Sequence, residues 1–141
     1  MAGHDRSLYT MYLHQVPMLR TCSQEEIDHI ADLGVTVLAS DSQHIIREGE
    51  PGNQFFVITT GSAEVTRDGQ HVASLGPGDY FGELALFDPA PRNATVTATS
   101  ATTLVSVSRN SFRELLGEVS SLRDALLAGM ATRLHELDGH A

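Results

Sequence analysis

The stretch that decides how this chain folds reads Phe81-Gly-Glu-Leu-Ala-Leu-Phe-Asp-Pro-Ala-Pro-Arg-Asn-Ala-Thr-Val96, and we call it the cassette. Gly82 allows the backbone to approach another group closely. The next residues predict a short helical turn, whose first N–H groups lack intrahelical acceptors and suit an anion. Arg92 carries a planar fork of donors that matches a phosphate group, and Glu83 can accept hydrogen bonds from a sugar hydroxyl. The cassette therefore has the parts needed to hold a ribose phosphate.

The cassette resembles the phosphate-binding cassette of cyclic nucleotide-binding domains, which runs Phe-Gly-Glu-(Leu/Ile)-Ala-Leu and then, after a short gap, Pro-Arg-x-Ala-Thr-Val. The two halves stand here at residues 81–86 and 91–96. The similarity extends to the glycine-marked turn at 46–52, the hairpin at 55–65 and the turn at 75–79. The resemblance implies a ligand site, with Arg92 on the phosphate and Glu83 on the ribose 2′-hydroxyl. Its members would be Gly82, Glu83, Leu84, Ala85, Arg92 and Asn93.

The position after the arginine departs from the family pattern. It is usually Ala, Ser or Thr, and Thr there accompanies a preference for cyclic GMP, whereas this chain has Asn93. Asn offers both a donor and an acceptor, so it could contact the phosphate or a purine edge, or partly obstruct the pocket. The expected ligand is a cyclic purine mononucleotide, cyclic AMP in preference to cyclic GMP, although Asn93 leaves the base selectivity open.

Around the cassette, short β-rich runs alternate with Gly, Pro, Asn and Asp. The dipeptide Asp68-Gly69 between two runs is a strong hairpin signal. The pattern predicts a mainly β fold, an eight-stranded β-roll of jelly-roll type with flanking helices. We expect a single domain over 1–141, with helices in 1–34, the roll in 35–108 and C-terminal helices in 109–137. The predicted strands are Val35–Leu38, His44–Arg47, Phe55–Thr60, Ala63–Arg67, His71–Leu75, Asp79–Phe81, Ala94–Thr99 and Thr102–Ser108.

Helix starts are predicted from capping signals. Ser23 with Glu26 and Ser111 with Glu114 both have the spacing of a capping box, and Ser121 is a third candidate cap. Inside the roll, four apolar residues are expected to line the barrel: Val57, Val72, Leu75 and Leu86.

Composition narrows the function classes. The net charge of −9 and the scattered arginines argue against nucleic-acid binding. No apolar run has the length of a membrane span, and no signal peptide follows the N-terminus. The single cysteine, Cys22, excludes an internal disulfide and fits a cytoplasmic location. The absence of Lys among nine basic residues suggests a GC-rich bacterial source.

Nothing in the sequence predicts catalysis or a metal site. The seven histidines show no metal-ligand spacing, and the Gly-x-Ser-x-Gly nucleophile elbow is absent. Cys22 precedes a predicted helix, where its pKa could fall, although a plain helix-entry role is the simpler interpretation. We therefore expect a protein that is not an enzyme and needs no metal.

The expected function is that of a sensor that relays nucleotide binding through its C-terminal helix. Heptad-like spacing allows that helix to form a homodimer seam or to pack on its own barrel. An effector domain or protein would act on the signal, or the chain is a stand-alone sensor. The alternatives are a degenerate domain that serves as an interaction scaffold without nucleotide, and a metal-dependent jelly-roll enzyme. The seam residues would be Leu127, Met130, Leu134 and Leu137.

Overall fold

The computed structural model describes residues 6–86 and 91–128. The chain begins with helix α1 (Arg6–Gln15), a 3₁₀ turn (Pro17–Leu19) and helix α2 (Gln24–Asp32). Helix α3 (Arg109–Glu118) follows the strands, and residues 120–128 form a further segment that we call the last helix. Its predicted continuation to Leu137 lies outside the described residues. None of the described helices is both long and apolar enough to cross a bilayer.

The strands form two four-stranded sheets in which all neighbours are antiparallel. The helix-side sheet has the order β1-β8-β3-β6, and the outer sheet has the order β2-β7-β4-β5. The predicted eight-stranded fold with flanking helices is thereby confirmed. A 3₁₀ turn at Glu83–Leu86, the cassette helix, follows β6. The strands are β1 (Val35–Ala39), β2 (His44–Ile46), β3 (Gln54–Thr60), β4 (Ala63–Arg67), β5 (Gln70–Leu75), β6 (Tyr80–Phe81), β7 (Thr95–Ala98) and β8 (Thr102–Ser108).

Strand β3 in the helix-side sheet is buried on both faces, which explains its uninterrupted apolar run. Phe55 and Val57 pack against the helices, whereas Phe56 and Ile58 face the outer sheet, as expected for side chains that alternate along a strand. Phe56 stacks on Phe81 of β6 with ring centroids 5.1 Å apart. This stack fixes the end of β6, from which the cassette helix departs.

Three of the four residues predicted to line the barrel lie elsewhere. Val57 and Leu86 belong to the core under the helices. Val72 is 50% exposed because the β4–β5 pairing shifts register beside it, where a bulge turns the side chain outwards. Leu75 packs against the core between the sheets, as predicted.

The capping box at Ser23 is confirmed. The Ser23 hydroxyl accepts a hydrogen bond from the Glu26 amide at 3.1 Å, and the Glu26 carboxylate accepts one from the Ser23 amide at 2.8 Å. The second predicted box is wrong because α3 starts three residues earlier, and Ser108 caps it by accepting from the Ser111 amide at 3.2 Å. Ser121 is the second residue of the last helix, which begins at Ser120, so it does not occupy the predicted cap position.

Cys22 is a buried packing residue. The residue is only 6% exposed, and burial, with a smaller contribution from the Glu26 carboxylate, raises the pKa of its thiol to about 11. The possibility that a helix N-terminus lowers this pKa is therefore wrong, since desolvation dominates.

Candidate functional site

The guanidinium of Arg92 lies in a slot between two glycines. A Cβ atom at Gly52 would come within 2.0 Å of the Arg92 Nε, and one at Gly82 within 2.7 Å of its Nη1. Nη2 donates to the carbonyl of Gln54 at 2.8 Å. The slot exists because neither glycine carries a side chain, and it fixes the guanidinium directly beside the start of the cassette helix.

The main chain of Arg92 is held by the loop between β2 and β3. Its amide donates to the carbonyl of Glu50 at 2.9 Å, and its carbonyl accepts from the amide of Gly49 at 2.8 Å. Pro51 and Pro91 form an isolated antiparallel bridge next to these bonds. Two loops that are far apart in sequence are thereby joined at the residue that carries the charge.

A small open hollow of about 110 Å³ lies at the guanidinium. Nucleotide-sized ligands occupy clefts of about 300–1,000 Å³, so a nucleotide would extend beyond this hollow. The charged side chains that line the hollow are two arginines and one glutamate. The hollow therefore has a net positive charge, whereas the chain as a whole is acidic. The lining residues are Ile45, Ile46, Arg47, Glu50, Pro51, Gly52, Asn53, Gln54 and Arg92.

Burial disfavours the charged form of Arg92. It lowers the pKa of the guanidinium, but an arginine in a protein stays protonated. Among the side chains that the structure describes, no carboxylate lies within ion-pair distance of Arg92. The slot therefore holds a partly desolvated cation whose described hydrogen-bond partner is a neutral carbonyl, and such a cation favours an incoming anion.

The structure brings together some of the predicted site residues. Gly82, at φ +80°, borders the guanidinium of Arg92. The amide of Ala85 closes the cassette helix onto the Gly82 carbonyl at 3.0 Å. Asn93 is exposed, and its carbonyl accepts a hydrogen bond from the Arg67 Nε at 3.0 Å. Glu83 and Leu84 contribute backbone to the cassette helix, and their side chains lie outside the described part of the chain.

Sequence reasoning missed the residues that build the slot. The sequence marks Gly52 only as part of a turn, and the Gln54 carbonyl carries no sequence signal because every residue has a backbone carbonyl. The Glu50-Pro51-Gly52 turn was the available clue, since a glycine in such a turn can permit close approach of another group. Its partner could not be identified before the pairing of Pro51 with Pro91 was known.

Within 6–86 and 91–128, no group of three or more His, Cys, Asp or Glu side chains could hold a metal ion. Two of the described histidines have side-chain partners within the outer sheet. His44 is hydrogen-bonded to Thr97 at 2.8 Å, and His71 approaches the Glu64 carboxylate at 3.5 Å. The cassette is thus the site with a recognisable chemistry in the described part of the chain.

Comparison with known proteins identifies the family. The cyclic nucleotide-binding domain family matches residues 37–118. A cAMP-dependent protein kinase regulatory subunit of Hypocrea atroviridis is 37% identical over 134 residues, covering 94% of this chain and 29% of that protein. The N-terminal domain of a transcriptional regulator from Streptomyces coelicolor A3(2) superposes with a TM-score of 0.82 at 27% identity, over 92% of this chain and 94% of that one. The structure of cAMP-bound PfPKA-R has a TM-score of 0.68 at 33% identity, over 94% and 47%.

The lengths of the matched segments determine what these similarities say about the chain. The chain spans about a third of the length of the curated relatives that it matches. These relatives include fungal proteins, whereas the Streptomyces domain is bacterial, so a bacterial source stays a prediction. The family match, in contrast, covers more than half of the chain and contains both halves of the cassette and the whole Arg92 slot. The chain therefore belongs to the cyclic nucleotide-binding domain family.

Proposed function

We propose that this chain is a cytoplasmic regulatory module that senses cyclic AMP and has no catalytic activity of its own. The observation that carries the proposal is the Arg92 guanidinium, held between Gly52 and Gly82 beside the cassette helix. The family match, and the cyclic AMP named in the kinase regulatory subunits and in the PfPKA-R structure, support this ligand.

In the proposed complex, the cyclic phosphate binds Arg92 through two parallel N–H···O bonds. The first amides of the cassette helix, near Gly82, complete the phosphate site, since they lack intrahelical acceptors. Glu83 accepts from the ribose 2′-hydroxyl, a role that the family resemblance implies. Leu84 and Ala85 contribute backbone groups, and Asn93 sits beside the phosphate or the base.

The signal leaves the site through the core that lies under the helices. Leu86 of the cassette helix belongs to the same buried cluster as Leu122 and Leu126 of the last helix. A shift of the cassette on binding would therefore alter how the last helix packs. This relay works only if the nucleotide binds the two helix positions with different affinity.

The proposed partners are a signalling protein or domain and a second copy of this chain. The names of the relatives suggest that the output acts on a kinase catalytic subunit or on an attached effector domain. Leu127 of the last helix is 64% exposed, which supports a homodimer through this helix. The other predicted seam residues, Met130, Leu134 and Leu137, lie outside the described residues.

Calorimetry with cyclic AMP and cyclic GMP, side by side, tests the proposal. We expect cyclic AMP to bind more tightly, and a concentration of a hundred times Kd to stabilise the fold by about 2.7 kcal/mol. Arg92→Ala should lose about 2–5 kcal/mol of binding because it removes one partner of a buried charge pair. Arg113→Ala, an exposed arginine on α3, is the matched control and should bind normally.

The outcomes separate the candidate functions. If millimolar concentrations of either nucleotide give neither heat nor a thermal shift, the sensor proposal fails and the scaffold function gains support. Unchanged affinity in a folded Arg92→Ala protein would remove Arg92 from the site. Tighter binding of cyclic GMP would leave the sensor function intact and reverse the assigned ligand.

A further inference from the structure

Arg67, the last residue of β4, reaches from the β4–β5 hairpin to the cassette. Its Nε donates to the carbonyl of Asn93 at 3.0 Å, and Asn93 directly follows Arg92. The contact joins residues that are 26 positions apart. Arg67 is exposed, so its contact contributes little to the buried core.

The other side of this segment is held by different contacts. The amide and the carbonyl of Arg92 bond to Glu50 and Gly49 of the β2–β3 loop at 2.9 and 2.8 Å. Arg67 holds the next carbonyl along the chain. The main chain at residues 92 and 93 is therefore held from two directions, and the Arg67 side chain contributes the second of them.

The main chain next to Arg67 is held by hydrogen bonds to neighbouring elements. The amide of Asp68 donates to the Glu48 carboxylate at 3.1 Å, and the amide of Glu48 donates to the Thr95 hydroxyl at 3.0 Å. These bonds tie the hairpin tip to the β2–β3 loop and to β7. Because the backbone beside it is fixed, the Arg67 side chain can hold the Asn93 carbonyl in a defined direction.

We propose that Arg67 is a positioning residue of the nucleotide site, an inference that rests on the proposed function. It acts through the Asn93 carbonyl, which it orients so that Arg92 is already in place when the cyclic phosphate arrives. Ordering this segment in advance removes an entropic cost from binding. Without Arg67, water satisfies the exposed carbonyl and the fold is retained, but the segment must be ordered when the ligand binds.

Two substitutions separate the hydrogen bond from the charge. Arg67→Gln keeps an N–H donor at the same number of bonds from the backbone as Nε, whereas Arg67→Met has an unbranched side chain of similar length without a donor. Both variants remove one positive charge. We expect Arg67→Met to bind cyclic AMP about tenfold more weakly, equivalent to about 1.4 kcal/mol, and Arg67→Gln to stay within about threefold of the wild type.

Hydrogen exchange without ligand provides an independent measurement. Amide exchange in residues 92–94 should be faster in Arg67→Met than in the wild type and nearly unchanged in Arg67→Gln, with equal melting temperatures. Wild-type affinity in Arg67→Met would overturn the inference, and so would equal losses in both variants, because the charge would then be the cause. Failure of the wild type to bind either nucleotide would instead refute the proposed function, and the inference with it.

Discussion

Replacing Gly52 with alanine tests the glycine slot most directly. The new Cβ would lie 2.0 Å from Arg92 Nε, 2.3 Å from its Cζ and 2.6 Å from its Cδ. To reach the 3.4 Å of ordinary contact, the guanidinium must retreat by about 1.4 Å. That displacement breaks the 2.8 Å bond from Nη2 to the Gln54 carbonyl and moves the charge away from the cassette helix.

The loss should appear in binding rather than in folding. Gly52 is not among the residues with positive φ, so alanine fits its backbone conformation without strain and also narrows the unfolded ensemble. The atoms in its way belong to a flexible side chain that can move into solvent. Because Arg92 remains present but misplaced, we expect the lower part of the 2–5 kcal/mol range for a lost charge partner, about a hundredfold in Kd.

The assay is calorimetric titration with cyclic AMP, with thermal unfolding recorded on the same samples. Gly76→Ala is the matched control, because that glycine also has no positive φ and a Cβ there would meet nothing within 4 Å. It should bind like the wild type. If a folded Gly52→Ala protein binds cyclic AMP within about threefold of the wild type, the Arg92 position seen here is not the binding position, and the argument from the slot fails.

Two further predictions concern the helices. The Ser23 amide, followed by the hydroxyls of Ser121 and Ser23, lowers the pKa of Glu26 below its usual 4.5 against the opposing effect of burial. The stability from this carboxylate is therefore present above about pH 4.5 and is lost as the pH falls through the folded-state pKa. Glu26→Gln should cost about 1 kcal/mol at neutral pH and lose less stability on acidification in urea melts, whereas an unchanged acid limb would contradict this. Ser108→Ala should cost about 1 kcal/mol and Ser111→Ala less than about 0.5, and the reverse order would restore Ser111 as the cap.

The strands could be predicted from the sequence because their boundaries are marked by local signals. Asp68 and Gly69 have φ values of +53° and +78°, the conformation that an Asp-Gly hairpin turn requires. The run from Phe55 to Ile58 predicted a strand by its composition. The turn and the strand are therefore determined by the local conformational preferences of their residues.

The errors arise where tertiary contacts decide between local alternatives. Ser108 and Ser111 are both good N-cap residues, and the end of β8 selects the earlier one. Val72 belongs to a plausible strand, but a bulge in the pairing with β4 turns it outwards. Val57 was correctly placed in a strand, yet a strand buried on both faces gives no pattern that tells one side from the other.

The site likewise contains residues that the sequence predicts and residues that only the tertiary structure identifies. The spacing of the cassette was enough to single out Gly82 and Arg92, which the structure brings together. Gly52, Gln54 and Arg67 act on Arg92 or its neighbour across 26 to 40 residues of sequence. Such contacts depend on which loops meet, and the sequence of either loop alone does not specify the other.

The arrangement around Arg92 also explains why a binding site would keep a charge in a slot. A partly desolvated cation whose described hydrogen-bond acceptor is a neutral carbonyl is less stable than one with an ionised partner. The hydrogen bonds of Gly49 and Glu50 to the Arg92 main chain offset this loss of stability. They prevent the segment from relaxing into solvent. An anionic ligand can then supply the ionised partner that the described side chains do not, and little reorganisation is needed when it binds. The same reasoning implies that changes to Gly52 or to Arg67 should weaken nucleotide binding more than they weaken the fold.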